Sequence, residues 1–499
     1  MKRFNKIVLI IAAAVCGVIT ASAQMRTAYF MEGSYFRTDM NAALAPTRGY
    51  VKIPVAGGIG VDFGNNYLSV NNLLYKRNDG IYTFMHHSVS ADEFLGKLGN
   101  KGKISANLNT SLIGFGAHTK KFFWSFGLNL RSNTELTLSK DMFVALKNLS
   151  NGYYNLGDTH LSNREYIEGA IGFAIPLKEF MTFGFRVKGL VGLADLSMKM
   201  DQMYLDVNEN SVKAELLGNI RGNCPVFKPN YVVGDPFSVE GIIQQDILGA
   251  LKGIKSYGFG LDLGFEFRFL NDQLKVSVAA NDIGFIKWYG HSTVNAQGNA
   301  NFTYNGFNLS TGDADLAYGF EAKMTEPQGE YFTRLTCSLN AGIEYNILNN
   351  WIAFGLLSHT QFCQNFTRTE LTASANFRIM HWLSTSISHT FLNGNQPGVL
   401  GWALNFHPAG FNLFIGADFI DTRFAVYNTA NKSIPIPKMM TSANVYVGLG
   451  INLGKAKYMP AIQGKKLTYK QYKLKKEAEK KAAEQKAAEQ QSAAAKVEI

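Results

Sequence analysis

Residues 256–269 read SYGFGLDLGFEFRF, and every second one is apolar: Tyr257, Phe259, Leu261, Leu263, Phe265, Phe267 and Phe269. Between them stand Gly258, Gly260, Asp262, Gly264, Glu266 and Arg268. Successive side chains of a strand point to opposite faces, so this is a ribbon with one oily face and one small or charged face. Such a ribbon has two destinations. In a soluble sheet the oily face meets a second protein layer; in a membrane barrel it meets hydrocarbon and the charges line the inside.

The pattern recurs. Residues 122–131 (FFWSFGLNLR) set Phe122, Trp124, Phe126, Leu128 and Leu130 against Ser125, Gly127, Asn129 and Arg131. Residues 103–118 alternate weakly, 166–177 and 181–196 form a hairpin around a Pro176 turn, and 256–269 returns through Asn271-Asp272 into 273–280. Further segments follow at 334–345, 351–362, 368–380, 381–392, 399–406, 411–419 and 442–453. In 334–345 the apolar row is Leu335, Cys337, Leu339, Ala341, Ile343 and Tyr345. Tight turns alternate with longer connections, as between antiparallel neighbours. The fold class this predicts is all-β, an antiparallel transmembrane β-barrel of about fourteen strands. The oily faces favour Phe, Trp and Tyr over interlocking Val and Ile, and closure removes the edges such strands would expose. Mean hydropathy is only −0.06, because alternation disperses the apolar residues. A soluble secreted β-sandwich is the rival fold.

The ends are distinct. Lys2, Arg3 and Lys6, an apolar run over 7–19 and Ala21-Ser22-Ala23 have the anatomy of a cleaved leader over 1–23, with Gln24 as the mature start. The apolar run is too short for a membrane-spanning helix, and Val15 before Cys16 does not suit lipoprotein processing. Residues 24–55 lack a clean period and contain Pro46 and Pro54, which suits an N-terminal plug segment. The barrel is expected over 56–454 and a basic Ala/Lys/Glu-rich periplasmic tail over 455–499. Net charge is +11; the leader carries +3 and the tail +7, leaving +1 for 24–454, so basicity gives no case for nucleic acid. Short loop helices are expected at 90–98, where Ser90 and Glu93 form a capping box, and at 239–251.

No catalytic, metal or cofactor motif stands out, and the chain is read as a non-enzyme without cofactor. His86-His87 lack HExxH spacing, and GFGLDLG and GLGINLG are strands and not dinucleotide loops. The candidate lumen-lining residues are Arg131, Asp262, Glu266, Arg268, Glu344, Arg378 and Asp418. They form either a polar track steering solute or ion pairs that fill the interior, two readings of equal weight. The tail reads as a solvated helix, with contact to peptidoglycan or a periplasmic partner as the functional alternative.

The runs MEGSYFRTDMNAALAPTRGYVKIP (31–54), SADEFLGKL (90–98) and NDIGFIKW (281–288) resemble an uncharacterised Bacteroidetes-type outer-membrane barrel family. That family is similar to long-chain fatty-acid transporter (FadL-like) and PorV-like barrels. The resemblance implies an inward-folded plug, for which Tyr29, Glu32, Tyr35, Arg37, Asp39, Asn41 and Arg48 are the candidate residues. It implies residence in the outer membrane of a Gram-negative envelope, with outer-membrane lipid as neighbour. The function expected is passive transport of a small hydrophobic solute; the alternative is a non-conducting partner in protein secretion or envelope anchoring.

Overall fold

A computed structural model describes residues 25–454 and Glu477, apart from several loop stretches, the longest being 230–241 and 245–254. The leader expected over 1–23 and the tail expected over 455–499 lie outside the described residues, except for Glu477.

The described strands close into a single wall of fourteen. The first, β1, is interrupted, running over Gly49–Lys52 and Ile59–Asn65. Then come β2 (Lys101–His118), β3 (Phe123–Ser139), β4 (Thr159–Lys178), β5 (Met181–Asn208), β6 (Tyr257–Phe269) and β7 (Leu274–Trp288). The eighth, β8, is again split, into Tyr331–Arg334 and Cys337–Ile347. The wall continues with β9 (Ile352–Phe362), β10 (Thr367–Met380), β11 (Leu383–Leu392), β12 (Val399–Phe406), β13 (Asn412–Ile420) and β14 (Ser442–Leu453). Each pairs antiparallel with its neighbours, and β14 returns to β1 through Gly49↔Leu453 and Val61↔Val445.

Lipid-side and lumen-side residues separate as the alternation requires. On β6, Phe259 is 47% exposed while Asp262 is 0%, and Glu266 and Arg268 are buried. Ile343, Phe354, Ile387, Trp402 and Ile451 continue the exposed apolar belt on other strands. With the backbone groups of a closed ladder paired within the wall, hydrocarbon can cover that belt.

The two ends differ. The tight turns after β2, β4, β6, β8, β10 and β12 lie at one end, beside the start of β1 and the end of β14. Short turns mark the periplasmic end of such barrels. At the other end β5 runs for 28 residues against 8 in β12, and Ser211–Asn223 and Thr293–Asn308 extend its sheet. There too the hairpin Leu74–Arg77/Gly80–Thr83 and the helices Ala91–Leu95 and Lys140–Lys147 build a small cap. Its own core contains Tyr75, Val89, Phe94, Leu98 and Phe143.

Several local expectations change. Pro176 lies inside β4, and the chain turns at Glu179-Phe180. Ile242–Gln244, inside the expected 239–251 helix, is a strand paired with Phe227–Pro229; the rest of that segment lies outside the described residues. The helix opened by Ser90 spans Ala91–Leu95, with Ser90 Oγ accepting from Glu93 N–H at 3.1 Å.

Candidate functional site: the filled lumen

The segment from Met25 to Ala45 folds inside the wall as a chain of tight turns and one short helix, Arg37–Met40. Ala28 N–H donates to Met25 O, Met31 N–H to Ala28 O and Ser34 N–H to Met31 O. Tyr29, Phe30, Tyr35, Phe36, Met40 and Leu44 share an apolar cluster with Leu357, Ala403, Phe414 and Tyr446 of the wall. Gly49–Lys52 already belong to β1, so the inserted segment ends before residue 49. Wall glycines make the fit possible. A Cβ on Gly184 would lie 2.1 Å from Ala43 N, and one on Gly355 2.3 Å from the Phe30 ring. The small reverse faces of the ribbons are thus seats for the insert.

Charge fixes it in three places. Arg26 forms an ion pair with Glu370 and lies 3.5 Å from Asp62, while Asp418 accepts the N–H groups of Arg26 (2.9 Å) and Thr27 (3.0 Å). Glu32 meets Lys275 at 2.5 Å and Arg378 at 3.7 Å. Asp39 meets Arg186 at 2.9 Å and Lys52 at 3.6 Å. Asn281 and Asn340 both donate to Met40 O, at 2.7 and 2.8 Å. Asn41 donates to the Tyr29 hydroxyl, which also meets Ser277.

The lumen-lining candidates all face inward, and they are partnered. Arg131 pairs with Glu168 at 3.1 Å, Asp262 with Lys188 at 2.8 Å, Glu266 with Arg268, and Glu344 with Arg378. Asp418 also accepts from Tyr446 (2.9 Å) and Asn444 (2.8 Å). Of the insert candidates, Tyr29, Glu32, Tyr35, Arg37 and Asn41 are buried and Asp39 is partly so, while Arg48 is half-buried just before β1. Among the described residues the buried cations are Arg26, Arg37, Lys52, Arg131, Arg164, Arg186, Lys188, Arg268, Lys275 and Arg378. The buried carboxyls Glu32, Asp62, Glu135, Glu168, Asp195, Asp262, Glu266, Glu344, Glu370 and Asp418 balance them one for one. Equal numbers leave no net field to select an ion. Sequence reading missed Arg26, Lys188, Lys275 and Glu370; each sits at an inward position of an alternating strand or next to the expected mature start.

Beyond the insert, toward the long loops, the lining changes character. At Asp282, whose φ is 58°, β7 carries a bulge opposite the register shift at Leu261/Leu263. Before it Val276 and Val278 face lipid; after it Ile283 and Phe285 do, and Ile286 and Trp288 turn inward. The split in β8 reverses its faces at the same level, burying Leu335, which strict alternation would put on the lipid side. Tyr166, Leu190, Ile286, Trp288 and Leu335 then form one buried apolar cluster, with Tyr331 packed against it. Trp288 Nε1 donates to Thr333 Oγ1 at 2.8 Å. Lys188 bridges Asp262 and Asp282 (2.8 and 2.5 Å) beneath the bulge, and Asp262 accepts the Asp282 N–H at 2.7 Å.

In the cap, Arg77 donates to Glu93 at 2.6 Å, and this hydrogen bond holds the Glu93 carboxyl below the usual carboxylate range. Among the described residues no group of three or more His, Cys, Asp or Glu is placed to hold a metal ion.

A model of a family of unknown function, DUF5723, matches residues 42–418. The chain belongs to that family. No curated protein matches it significantly. Among solved structures it is similar to the P. putida toluene transporter TodX, at 10% identity over 83% of this chain and 92% of that one, with a TM-score of 0.36. The Ralstonia pickettii toluene transporter TbuX aligns at 7% identity over 85% and 95%, TM-score 0.38. A Pseudomonas aeruginosa FadL homologue aligns at 8% over 82% and 91%, TM-score 0.34. The DUF5723 chain is an outer-membrane barrel by its closed ladder and exposed apolar belt.

Proposed function

We propose that this barrel passes small hydrophobic molecules passively across the outer membrane. One observation carries the reading. The charged and polar band around the insert gives way, toward the long-loop end, to the inward-facing cluster of Tyr166, Leu190, Ile286, Trp288 and Leu335. Two strands reverse their faces to build it, and a packed apolar cluster inside the lumen suits contact with an apolar guest. The balanced charges beside it suit an uncharged solute. Passage needs the insert to yield, because its contacts fill the cross-section it occupies.

Purified protein in liposomes is expected to raise uptake of a hydrophobic tracer over protein-free vesicles. Trp288→Ala opens space in the apolar cluster and should change the rate, and deletion of residues 29–48 should raise uptake and remove its selectivity. Equal uptake with and without the protein, in both the intact and deleted forms, would sink the proposal.

A further inference from the structure

The buried charges balance over the whole lumen, but pairing is local, and two groups stand outside it. Among the described residues every buried lysine and arginine except Arg37 makes an ion pair, and every buried carboxylate except Glu135 does. Glu135, near the long-loop end of β3, is met by other means: it accepts from Thr336 Oγ1 at 3.1 Å and from Gln364 N–H at 2.6 Å. Arg37 has no such remedy. It is 5% exposed, its Nε is sealed from solvent without an acceptor, and its guanidinium makes neither an ion pair nor a hydrogen bond among the described residues.

Its surroundings are short of negative charge. The carboxylates acting most strongly on Arg37 are Glu266 and Glu344, and Arg378 opposes them. Both carboxylates are already committed, Glu266 to Arg268 and Glu344 to Arg378, with Lys275 a further 3.9 Å from Glu344. Glu32 is taken by Lys275 at 2.5 Å. Arg37, Arg268, Lys275 and Arg378 thus face only three buried carboxylates, Glu32, Glu266 and Glu344. Asp272, on the turn between β6 and β7, is partly exposed and acts on Arg268 and Lys275. Donors are in surplus as well, because Arg268 Nε, Arg268 Nη1 and Arg378 Nε are buried without an acceptor. Arg268 ends β6, Lys275 opens β7 and Arg378 lies near the end of β10, so the imbalance sits at the short-turn end of the lumen. Water can accept from idle N–H groups but brings no charge, and a buried cation left unpaired is strongly destabilising.

We infer that Arg37 binds a small monovalent anion, of halide size, at the short-turn end of the insert. One uncompensated positive charge calls for one negative charge, and the filled cross-section restricts its size. The guanidinium offers five N–H donors, and charge-assisted hydrogen bonds to the anion would fix the turn that carries Arg37. Asp39, Asn41 and Leu44 each donate their N–H to a carbonyl three or four residues back, so their amides report on that turn. The inference concerns how the insert is held, and it stands whether or not the barrel conducts.

The test uses the full chain, purified in detergent, with sodium chloride replaced by sodium gluconate at constant ionic strength. Gluconate carries the same charge but is too large for the site. At chloride ten times above its dissociation constant, exchange of the Asp39, Asn41 and Leu44 amides should be about tenfold slower than in gluconate. The Phe94 and Gly96 amides of the cap should be indifferent. Arg37→Gln should abolish the chloride response, and crystals grown in bromide should show its anomalous signal beside the Arg37 guanidinium. The chloride titration and the bromide map use the intact protein, so they decide the matter even where Arg37→Gln does not fold. Equal exchange in chloride and gluconate, a chloride response that survives Arg37→Gln, or no bromide signal at Arg37 would overturn the inference.

Discussion

The inserted segment and the cap are both small pieces of chain at the barrel's ends, yet they are stabilised in opposite ways. The cap owns its core: Phe94 stacks on Phe84 at 4.3 Å and packs near Phe143, all within loop sequence. The insert has aromatic residues but no closed core of its own. Phe36 meets Phe414 at 5.1 Å, Tyr35 meets Tyr50 at 4.8 Å, and its charged residues find their partners on β1, β5, β7, β10 and β13. A piece held by its own core can move as a body on the rim. A piece completed by the wall is part of the wall's stability until those pairs are broken.

The largest effect should come from Arg26→Met. This removes a cation that faces Asp62, Glu370 and Asp418 and leaves Arg368 as the remaining ion-pair partner of the first two, at a cost of about 3–5 kcal/mol. Denaturant unfolding in detergent should show the loss as a lower midpoint for the entire barrel, with protease reaching residues 25–45. Unchanged midpoint and unchanged protection would show that the insert is an accessory and not an integral layer.

Phe94→Ala should cost about 3 kcal/mol, but only locally. Hydrogen exchange is expected to quicken in the hairpin Leu74–Arg77/Gly80–Thr83 and the helix Ala91–Leu95, while the strands β9 to β14 keep their protection. If the barrel midpoint fell as far as for Arg26→Met, the contrast between an autonomous cap and a dependent insert would fail.

What the sequence could and could not reveal follows the same division. Alternation is a local property, so β6, β12 and β14 were legible nearly to the residue, as was the Ser90 capping box. The outward or inward sense of Asp262, Glu266, Arg268 and Glu344 was equally readable, because parity alone sets it. Parity fails where a bulge or a break intervenes, and neither the bulge at Asp282 nor the split in β8 leaves a composition signal; Leu335 was therefore assigned to the lipid side and the apolar cluster around Trp288 was not foreseen. The partners of the insert were illegible for a different reason. Arg26 and Asp418 are 392 positions apart, and no spacing rule links them. The glycines of the inward faces were visible as small residues, but only the fold shows that Gly184 and Gly355 are small because Ala43 and Phe30 lie against them.

The smallest effect concerns the cap's surface pair and acid. Glu93 accepts from Arg77 in the folded cap, and that hydrogen bond lowers its folded pKa relative to the unfolded chain. A depressed carboxylate pKa contributes stability that is present above the unfolded value and lost as pH falls through the folded one. Both side chains are partly open to solvent, so the contribution is about a few tenths of a kcal/mol and screened by salt. Titrating below the normal carboxylate range should therefore speed exchange of the amides near Arg77 and Glu93 slightly, and Glu93→Gln should remove that acid dependence. The amides around Arg26 offer the internal control: those of Arg26 and Thr27 are held by Asp418, which is buried with Arg26, Asn444 and Tyr446 as partners, so Glu93→Gln should leave their exchange unchanged. Faster exchange at both places in Glu93→Gln would mean that cap and insert are coupled and that the contrast fails.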